Sequence, residues 1–363
     1  MGIKLPTASK LDALSLCAGK HNAERNQPDE PSSPIAQAGT DMHSVLADEE
    51  PENPLTRDQT DTVNILELKR KELCSDVFGD ESFSDVKELD LSMEPFKNQE
   101  GSLRNAMFKG RMDYLALVGA THSTPPTRAL VVDYKTGYVE VISSESIQLR
   151  SYALLVAENT GCKNVVAAII QPNHRVVPVE YNEADLAAAK DELESILLSA
   201  LDEEAKRTAH PDACRYCKAK ATCPEACAVT KEVATVNPLD VTVEQLPRLL
   251  ESCAIAEGNI DVIRKMAREI LTDDPNAIDG WRLKKGRTSR VISDHLELRQ
   301  RIIDSGTLSE EKMRNVGKLS LSDIERMIRD ELDCTASVAR DRLYLAASDT
   351  ITIRENQPTL AKR

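Results

Sequence analysis

The sequence predicts an α/β or α+β domain up to about residue 230, followed by a mostly helical region. Strand-like and helix-like segments alternate over the first part, whereas helical patterns dominate the second. Hydrophobic residues make up 41% of the chain but aromatic residues only 3%, so we expect a core of Leu, Val, Ile and Ala. A chain of 363 residues is long enough for two domains. We expect domains at residues 1–230 and 231–363.

The N-terminal segments have helical patterns. A short helix is predicted within residues 1–20, with Ser9 as its cap. The next helix is predicted to begin at Gly39-Thr40-Asp41, which places His43 in its first turn. A third is predicted at residues 57–75.

Strands and helices then alternate. Residues 85–93, 110–119 and 128–137 have strand patterns, and residues 164–172 form an apolar, β-branched run typical of a buried strand. The remaining segments of this part predict helices at residues 144–161, ending at Gly161, and at residues 183–207.

The C-terminal third predicts one or two helices at residues 242–271, a basic strand pair at 279–292 and a helix at 320–332. Trp281 lies in the strand pair beside a group of basic residues, Lys284, Lys285, Arg287 and Arg290. A nucleic-acid base stacked on the indole is one interpretation. A core tryptophan next to a solvated basic turn is the other.

The formal charge is −14 and the isoelectric point is near 5.1. Such a charge argues against a DNA coat that covers phosphates with Lys and Arg, but it allows a local basic groove. No apolar run reaches the length of a membrane span, and the N-terminus lacks a signal-peptide pattern. We expect a cytoplasmic protein with no membrane partner.

Asp133 and Lys135 lie at the end of an apolar predicted strand, on the same face. Asp113 lies on the preceding strand of the predicted hairpin. Carboxylates on paired strands can share a hard cation such as Mg²⁺ or Mn²⁺, and a lysine beside them can stabilise phosphate charge. A simple ion pair at a strand end is the alternative interpretation.

Three further residues belong to this pattern. His43 would supply an imidazole ligand, which suits Mn²⁺ better than Mg²⁺. Gln148 and Tyr152 are four residues apart and therefore share a helix face. Each of these features is common by itself, so their order along the chain carries the interpretation.

That order resembles the PD-(D/E)XK nuclease superfamily, in particular its RecB-like branch. The matching features are Gly39 with His43, Gly110-Arg111-Met112-Asp113, Asp133-Tyr134-Lys135, and Gln148 with Tyr152. The resemblance covers roughly residues 9–230. It implies a restriction-endonuclease-like core with a central mixed sheet flanked by helices.

The resemblance also implies roles for these residues. His43, Asp113, Asp133 and the backbone carbonyl of Tyr134 would bind the metal. Asp113, Asp133 and Lys135 would be catalytic, and Gln148 and Tyr152 would hold the substrate or the site. Lys109, Arg111 and Arg150 are candidates for DNA contacts.

Four of the nine cysteines cluster, and Cys214, Cys217 and Cys223 have the spacing Cys-x2-Cys-x5-Cys. Four-coordinate iron or zinc needs a fourth thiolate. Cys227 is one candidate and would give a local zinc site. Cys17 is the other, because iron–sulfur nucleases of the RecB-like branch have one cysteine before the nuclease core and three after it. That resemblance implies a [4Fe–4S] cluster that closes the domain.

The whole arrangement looks like an uncharacterised family common in phages and prophages. It implies a metal-dependent DNA exonuclease that acts on single strands or DNA ends in phage DNA replication or recombination, in the bacterial host cytoplasm. A protein partner would then bind residues 231–363. The alternatives are a non-catalytic DNA-binding or scaffold subunit with the same fold, and a zinc-stabilised interaction protein.

Overall fold

The computed structural model describes residues 4–28, 33–97, 103, 105–121, 123–137, 139–314, 320–356 and 358–362. The chain divides into two compact units, Met1–Asp261 and Val262–Arg363. The expected domain boundary near residue 230 stays a prediction. Within the described ranges, no helix has the length and apolar character needed to cross a membrane.

The first unit contains eight helices of four or more residues and five strands among its described residues, and a ninth helix begins in it. The helices are α1 (Leu11–Leu16), α2 (Lys20–Glu24), α3 (Pro34–Leu46), α4 (Arg57–Phe78), α5 (Ile147–Thr160), α6 (Glu183–Leu201), α7 (Pro211–Arg215), α8 (Pro224–Thr235) and α9 (Leu246–Asp273). The strands are β1 (Phe83–Met93), β2 (Phe108–Val118), β3 (Arg128–Tyr134), β4 (Val165–Ile170) and β5 (Val179–Tyr181).

These strands form one sheet in the order β1-β2-β3-β4-β5. All neighbours are antiparallel except β3 and β4, which are parallel and are connected by the crossover helix α5. The prediction of a central mixed sheet flanked by helices is therefore confirmed. The short edge strand β5 was not predicted, because three residues are too few for an alternating pattern.

Both faces of the sheet are covered by helices. On one face, Ala129 and Val131 of β3 pack in a core with Leu149 of α5 and Leu193 of α6. On the other face, Leu130 and Val132 pack in a core that includes Met42 of α3 and Leu66 and Leu73 of α4. A strand with both faces buried has a continuous apolar sequence, which explains the run that precedes Asp133.

Helix α3 begins at Pro34, five residues before the predicted start at Gly39. The hydroxyl of Ser33 caps the helix by accepting a hydrogen bond from the backbone N–H of Ala36, and Pro34 occupies its first turn. The predicted placement of His43 in the first turn was wrong, since His43 lies in the last turn. Helix α6 likewise ends at Leu201 rather than at residue 207.

The second unit has a helical core. Its further elements are β6 (Trp281–Lys284), β7 (Thr288–Ile292), α10 (His295–Asp304), α11 (Glu310–Arg314), α12 (Leu321–Leu332), α13 (Ala336–Ala347), β8 (Ile351–Glu355) and β9 (Thr359–Lys362). Leu298 of α10, Ile324 of α12 and Leu343 of α13 are fully buried together.

The predicted basic strand pair is wrong in its pairing. Strand β6 pairs with β9, and β7 pairs with β8, so each predicted strand has a partner from the C-terminal end of the chain. Trp281 is 39% exposed and is not a core residue. Arg290 forms an ion pair with Glu325 at 2.6 Å.

Candidate active site

Asp133 is the penultimate residue of β3, and its carboxylate is buried at the end of that strand. Strand alternation places it on the α5 side of the sheet with Val131 and Ala129. Lys135 follows the strand, and its Nζ lies 2.8 Å from Asp133 Oδ2. Although this distance is that of an ion pair, no well-aligned hydrogen bond reaches Asp133 Oδ2.

Asp113 lies on β2 beside the end of β3. The antiparallel pairing of Tyr114 with Val132 brings Asp113 next to the Asp133–Tyr134 segment. Asp113 Oδ2 accepts a hydrogen bond from the backbone N–H of Tyr134 at 2.5 Å. His43 reaches the same carboxylate from α3, with Nδ1 at 3.3 Å from Asp113 Oδ1.

Gln148, in the first turn of α5, connects the remaining members of the site. Its Nε2 donates to Asp133 Oδ1 at 3.3 Å and to the Tyr152 hydroxyl at 2.7 Å. Its Oε1 accepts a hydrogen bond from Lys135 Nζ at 3.2 Å. The structure therefore brings together all six of the side chains that the sequence motifs singled out.

Glu88 is a member of this site that the sequence interpretation missed. One ligand atom from each of His43, Glu88 and Asp113 lies within 4.8 Å of the others. Glu88 is a non-glycine residue with a positive φ of 50°, a conformation that is rare inside a strand. Strain of this kind often accompanies a functional site.

Beside Glu88, the residues of β2 do not alternate regularly between the two faces of the sheet. The pairing of β1 with β2 runs on both sides of Glu88 and Asp113 but skips these two residues. Met112 packs in the core on the α5 side, while Tyr114 packs in the core on the α4 side. Residues two apart would share a face in a regular strand, so alternation is broken here. No sequence signal marked this break, because the residues around Glu88 read as an ordinary alternating strand.

Burial and neighbouring charges set the protonation of the site. Burial, with a contribution from Asp113, raises the pKa of Asp133 to about 6, although Lys135 opposes the shift. Burial lowers the pKa of His43, but the hydrogen bond and the charge of Asp113 outweigh it, so this pKa lies above its ordinary value. Burial also lowers the pKa of Lys135, but Asp133 outweighs it and the net shift is upward.

Gly110 opens the Gly-x-x-Asp motif on β2 and lets α5 approach closely. A Cβ atom at this position would lie 2.6 Å from Leu155 Cδ1 and 2.9 Å from Tyr152 Cε1. Any larger residue would therefore push on the helix that carries Gln148 and Tyr152. The glycine of the motif has a packing role under the site.

Helix α1 holds the start of α5. Asp12 Oδ1 accepts a hydrogen bond from the backbone N–H of Ile147 at 2.8 Å, and Oδ2 accepts one from that of Gln148 at 3.2 Å. These N–H groups have no partner within their own helix. Asp12 therefore caps α5 from a distant part of the chain and fixes the backbone of Gln148.

A second cluster of candidate ligands, formed by cysteines, lies beyond the C-terminal end of α1. Cys17, at the end of α1, lines one cavity together with Cys214, Cys217 and Cys223. Cys227 does not line it, and its Sγ lies 3.6 Å from the carbonyl oxygen of Ala221. The structure thus brings the distant Cys17, rather than Cys227, to the other three cysteines.

Close backbone packing makes this approach possible. The N–H of Gly19 donates to the carbonyl of Lys206 at 3.1 Å, and the N–H of Thr208 donates to Cys17 Sγ at 3.2 Å. A Cβ atom on Gly19 would lie 2.6 Å from the carbonyl oxygen of Ala205. Only glycine fits at this contact without moving the backbone.

The cysteine cavity is also lined by cationic side chains, those of Lys20, Arg207 and Lys220. Lys20 is buried, and its Nζ donates to the carbonyl of Ala213 at 3.0 Å. Burial raises the pKa of Cys214 and of Cys217, and the positive charge of Lys20 opposes both shifts. A bound metal centre would hold these cysteines as thiolates, and the nearby cations would offset part of their negative charge. Within the described residues, no three cysteine sulfurs lie within 4.8 Å of one another.

The three candidates for DNA contacts have different surroundings. Arg111 Nε is paired with Glu88 Oε2 at 2.6 Å, and Arg150 is paired with Glu192 at 2.7 Å. Lys109 is exposed on β2. Arg111 and Arg150 would have to leave these partners to contact DNA.

The donor set of the candidate active site fits a hard divalent cation. His43, Glu88 and Asp113 each offer one ligand atom within 4.8 Å of the others. Asp133 is not part of that group, but its buried Oδ2 accepts no hydrogen bond and adds a carboxylate beside it. Oxygen donors with one imidazole suit Mg²⁺ or Mn²⁺. Lys135 supplies the only lysine ammonium within 4.0 Å of these carboxylates among the residues the structure describes.

Comparisons with known proteins give weak structural similarities. The chain is similar to the crystal structure described as "Putative exonuclease" from Eubacterium rectale, with 14% identity, a TM-score of 0.33, and coverage of 56% of this chain and 84% of the other. It is also similar to an alkaline exonuclease from Laribacter hongkongensis, with 12% identity, a TM-score of 0.25, and coverage of 54% and 87%. No curated protein matches the chain.

A family model described as "Protein of unknown function (DUF2800)" matches residues 8–363. The match includes both constellations and the whole of the second unit. The chain belongs to this family.

Proposed function

We propose that the protein is a metal-dependent DNA nuclease that hydrolyses phosphodiester bonds, acting as an exonuclease. The observation that carries the proposal is the convergence of Asp113, Asp133, Lys135 and His43 at the end of a rigid, doubly buried strand. Burial penalises the charge of these carboxylates, and groups perturbed in this way are concentrated at functional sites.

By the resemblance, His43, Asp113, Asp133 and the carbonyl of Tyr134 would hold the Mg²⁺ or Mn²⁺ ion. The geometry supports His43 and Asp113 in this role and adds the carboxylate of Glu88. When bound, such an ion polarises a phosphate and makes a bound water more acidic. Strand β3 supplies rigidity, since its buried residues leave Asp133 little freedom.

The protein's own groups act around this centre. Lys135 places an ammonium beside Asp133, where it stabilises negative charge on a phosphate. Gln148 holds both Lys135 and Asp133 in position, and Tyr152 fixes the amide of Gln148. His43 keeps one carboxylate oxygen of Asp113 oriented while Tyr134 N–H holds the other.

The cleavage assay uses end-labelled single- and double-stranded DNA with Mg²⁺ or Mn²⁺. We expect Asp113→Asn and Lys135→Gln each to lower the rate by about 10²-fold or more, because each removes charge at the reacting centre. Glu158→Gln is the matched control, since Glu158 pairs with Lys97 and Lys190 outside the site. Full activity in both site variants would contradict the proposal, and DNA left intact by the wild type would favour a binding or scaffold subunit.

A [4Fe–4S] cluster bound by Cys17, Cys214, Cys217 and Cys223 is the second part of the proposal. The four cysteines line one cavity, and cationic residues surround it. The backbone N–H of Thr208 donates a hydrogen bond to Cys17 Sγ, and hydrogen bonds to the cysteine sulfurs are among the groups that tune iron–sulfur centres.

Paired cysteine variants test this assignment. In protein purified without oxygen, we expect absorbance near 400 nm and bound iron and sulfide. Cys17→Ser should lose most of the iron, whereas Cys227→Ser should keep it. The opposite pattern, or a colourless protein with one zinc ion, would contradict the cluster.

A role in phage DNA replication or recombination, and a protein partner for residues 231–363, stay predictions of the resemblance. So does the assignment of residues 1–230 as the nuclease domain. The same end-labelled substrates also report the polarity of degradation and the preference for single- or double-stranded DNA.

A further inference from the structure

A basic cavity of about 700 Å³ lies in the first unit, apart from the residues of the candidate active site. It is lined by the N-terminal segment, α2 and the loop between Cys217 and Lys220. We define it by its charged and titratable residues, which are Lys4, Lys10, His21, Glu24, Arg25 and Lys218. Four of these six are permanently cationic and one is acidic, which contrasts with the net charge of −14 for the chain.

The single carboxylate of the cavity is already engaged. Glu24 Oε1 accepts a hydrogen bond from the backbone N–H of Lys218 at 3.1 Å and lies 3.9 Å from Lys20 Nζ. In the described part of the chain, Lys4 and Lys10 form no ion pair. Arg25 Nη2 donates to the Asn22 side chain at 2.8 Å, an uncharged partner. Among the described residues, Lys4, Lys10 and Arg25 therefore bring positive charge to the cavity without a carboxylate partner.

The pKa of His21 is affected by this positive charge. Burial lowers its pKa, and the charges of Arg25 and Lys10 lower it further. A neutral imidazole at the wall offers a flat surface as well as a hydrogen-bonding group. Leu5, Pro6 and Leu201 give the cavity an apolar part.

The cavity borders the helix that supports the candidate active site. Lys10 immediately precedes α1, and Asp12, two residues later, caps the first turn of α5 at Ile147 and Gln148. Gln148 contacts Asp133 and Lys135. The cavity and the first turn of α5 therefore both contact the short stretch of chain from Lys10 to Asp12.

We propose that this basic cavity binds backbone phosphates of a single DNA strand that is held in the candidate active site. This inference rests on the proposed nuclease function and adds a substrate-binding site to it. Lysine and arginine supply sequence-independent attraction to phosphate, while the imidazole and apolar walls accept a sugar or the face of a base. The cavity thereby provides the local basic groove that an acidic chain needs to bind DNA.

The test measures binding rather than cleavage. A fluorescent 20-nucleotide DNA strand is titrated with full-length, cluster-containing protein in Ca²⁺, and anisotropy is recorded at several salt concentrations. Lys10→Gln/Arg25→Gln should raise Kd about tenfold, roughly uniformly across DNA sequences. The slope of log K against log salt should fall in magnitude by about 1.4, or about 0.7 for each lost phosphate contact on a single strand.

Two further variants serve as controls. Arg175→Gln/Lys231→Gln removes the same two charge types from exposed positions elsewhere in the first unit and should leave Kd and slope unchanged. Lys10→Arg/Arg25→Lys keeps the charges and should bind almost as the wild type does. Iron content and circular dichroism of each variant report folding independently of DNA.

A wild-type Kd and slope in Lys10→Gln/Arg25→Gln would overturn the inference, as would an equal loss in the control pair. Tighter binding of a matched RNA strand would overturn the choice of DNA. Failure of the proposed function has a different signature: the wild type would bind DNA through this cavity but leave it uncleaved. Lys135→Gln should bind normally and fail only in cleavage, which separates the two sites.

Discussion

At the scale of single residues, Gln148 is the centre of the candidate site. Its amide group makes three hydrogen bonds, to Asp133, Lys135 and Tyr152. Only an amide can donate to the carboxylate and the hydroxyl while accepting from the ammonium. The i, i+4 spacing predicted that Gln148 and Tyr152 share a helix face, but the contacts to Asp133 and Lys135 depend on how α5 packs on the sheet.

Gln148→Met should therefore lower the rate of DNA cleavage about 10- to 100-fold while leaving the fold intact. The side chain keeps its volume but loses all three hydrogen bonds, which leaves Lys135 and Asp133 less well positioned. Tyr152→Phe should cost less than tenfold, because Gln148 keeps its other two contacts. Single-turnover rates check this order, and a larger loss in Tyr152→Phe would contradict it.

Gly110→Ala should destabilise the protein by about 1–3 kcal/mol, because its methyl group would overlap Leu155 and Tyr152. Gly137→Ala is the control, since its methyl group would meet no other atom within 4 Å and its backbone is unstrained. Urea denaturation measures both. Equal stability of the two variants would show that α5 can shift freely at this contact.

At the scale of elements, the site depends on a cap supplied from far along the chain. Asp12 of α1 binds the first N–H groups of α5, and Ser146 caps the same turn through Leu149 N–H. The register of Gln148 above Asp133 is thereby tied to α1. Loss of this cap should therefore affect both the stability of the protein and the position of Gln148.

Asp12→Ala should lower the free energy of unfolding by about 1–2 kcal/mol and also slow cleavage, because two N–H groups of α5 lose their acceptor. Asp12→Asn keeps one carbonyl oxygen and should recover part of both losses. Thermal unfolding and cleavage rates are measured on the same preparations. A stability loss without any change in rate would mean that Gln148 is positioned by other contacts.

The helices and strands also show which parts of the fold could be predicted from the sequence. Apolar periodicity predicted β3 and α5, with Gly161 in the left-handed conformation that ends the helix. It failed at α3, where Gly39 looked like a helix start although Ser33 and Pro34 provide the cap. It also failed for β6 and β7, whose partner strands lie about 60 to 80 residues further along the chain. Glu88 was missed because its conformation belongs to a break in the pairing of β1 with β2 that no sequence pattern marks.

At the scale of the whole molecule, the cysteine constellation connects distant parts of the first unit. The stretch of chain between Cys17 and Cys214 contains all five strands of the sheet and helices α2 to α6. Holding both ends by one inorganic centre removes conformational entropy from the unfolded chain, by about 5 kcal/mol for a loop of this length. The cluster would have a structural role.

Removal of the cluster should therefore lower the Tm of the protein by about 10 °C, because its stabilising effect acts on the fold. Differential scanning fluorimetry before and after oxidative loss of iron measures the change, with Cys227→Ser as the control that keeps the wild-type Tm. An unchanged Tm in iron-free protein would contradict a structural role. In that contradicting case, hydrogen exchange would also show that α1 opens no faster in the iron-free protein than in the iron-containing protein.

The proposed function requires a metal ion at the end of β3. The anomalous difference map of crystals soaked in Mn²⁺ tests this, because it locates bound manganese without reference to activity. We expect a peak contacted by Asp113, Asp133 and His43, which disappears in crystals of Asp113→Asn. Crystals of DNA-cleaving protein with no peak at these residues, or with manganese bound only elsewhere, would contradict it.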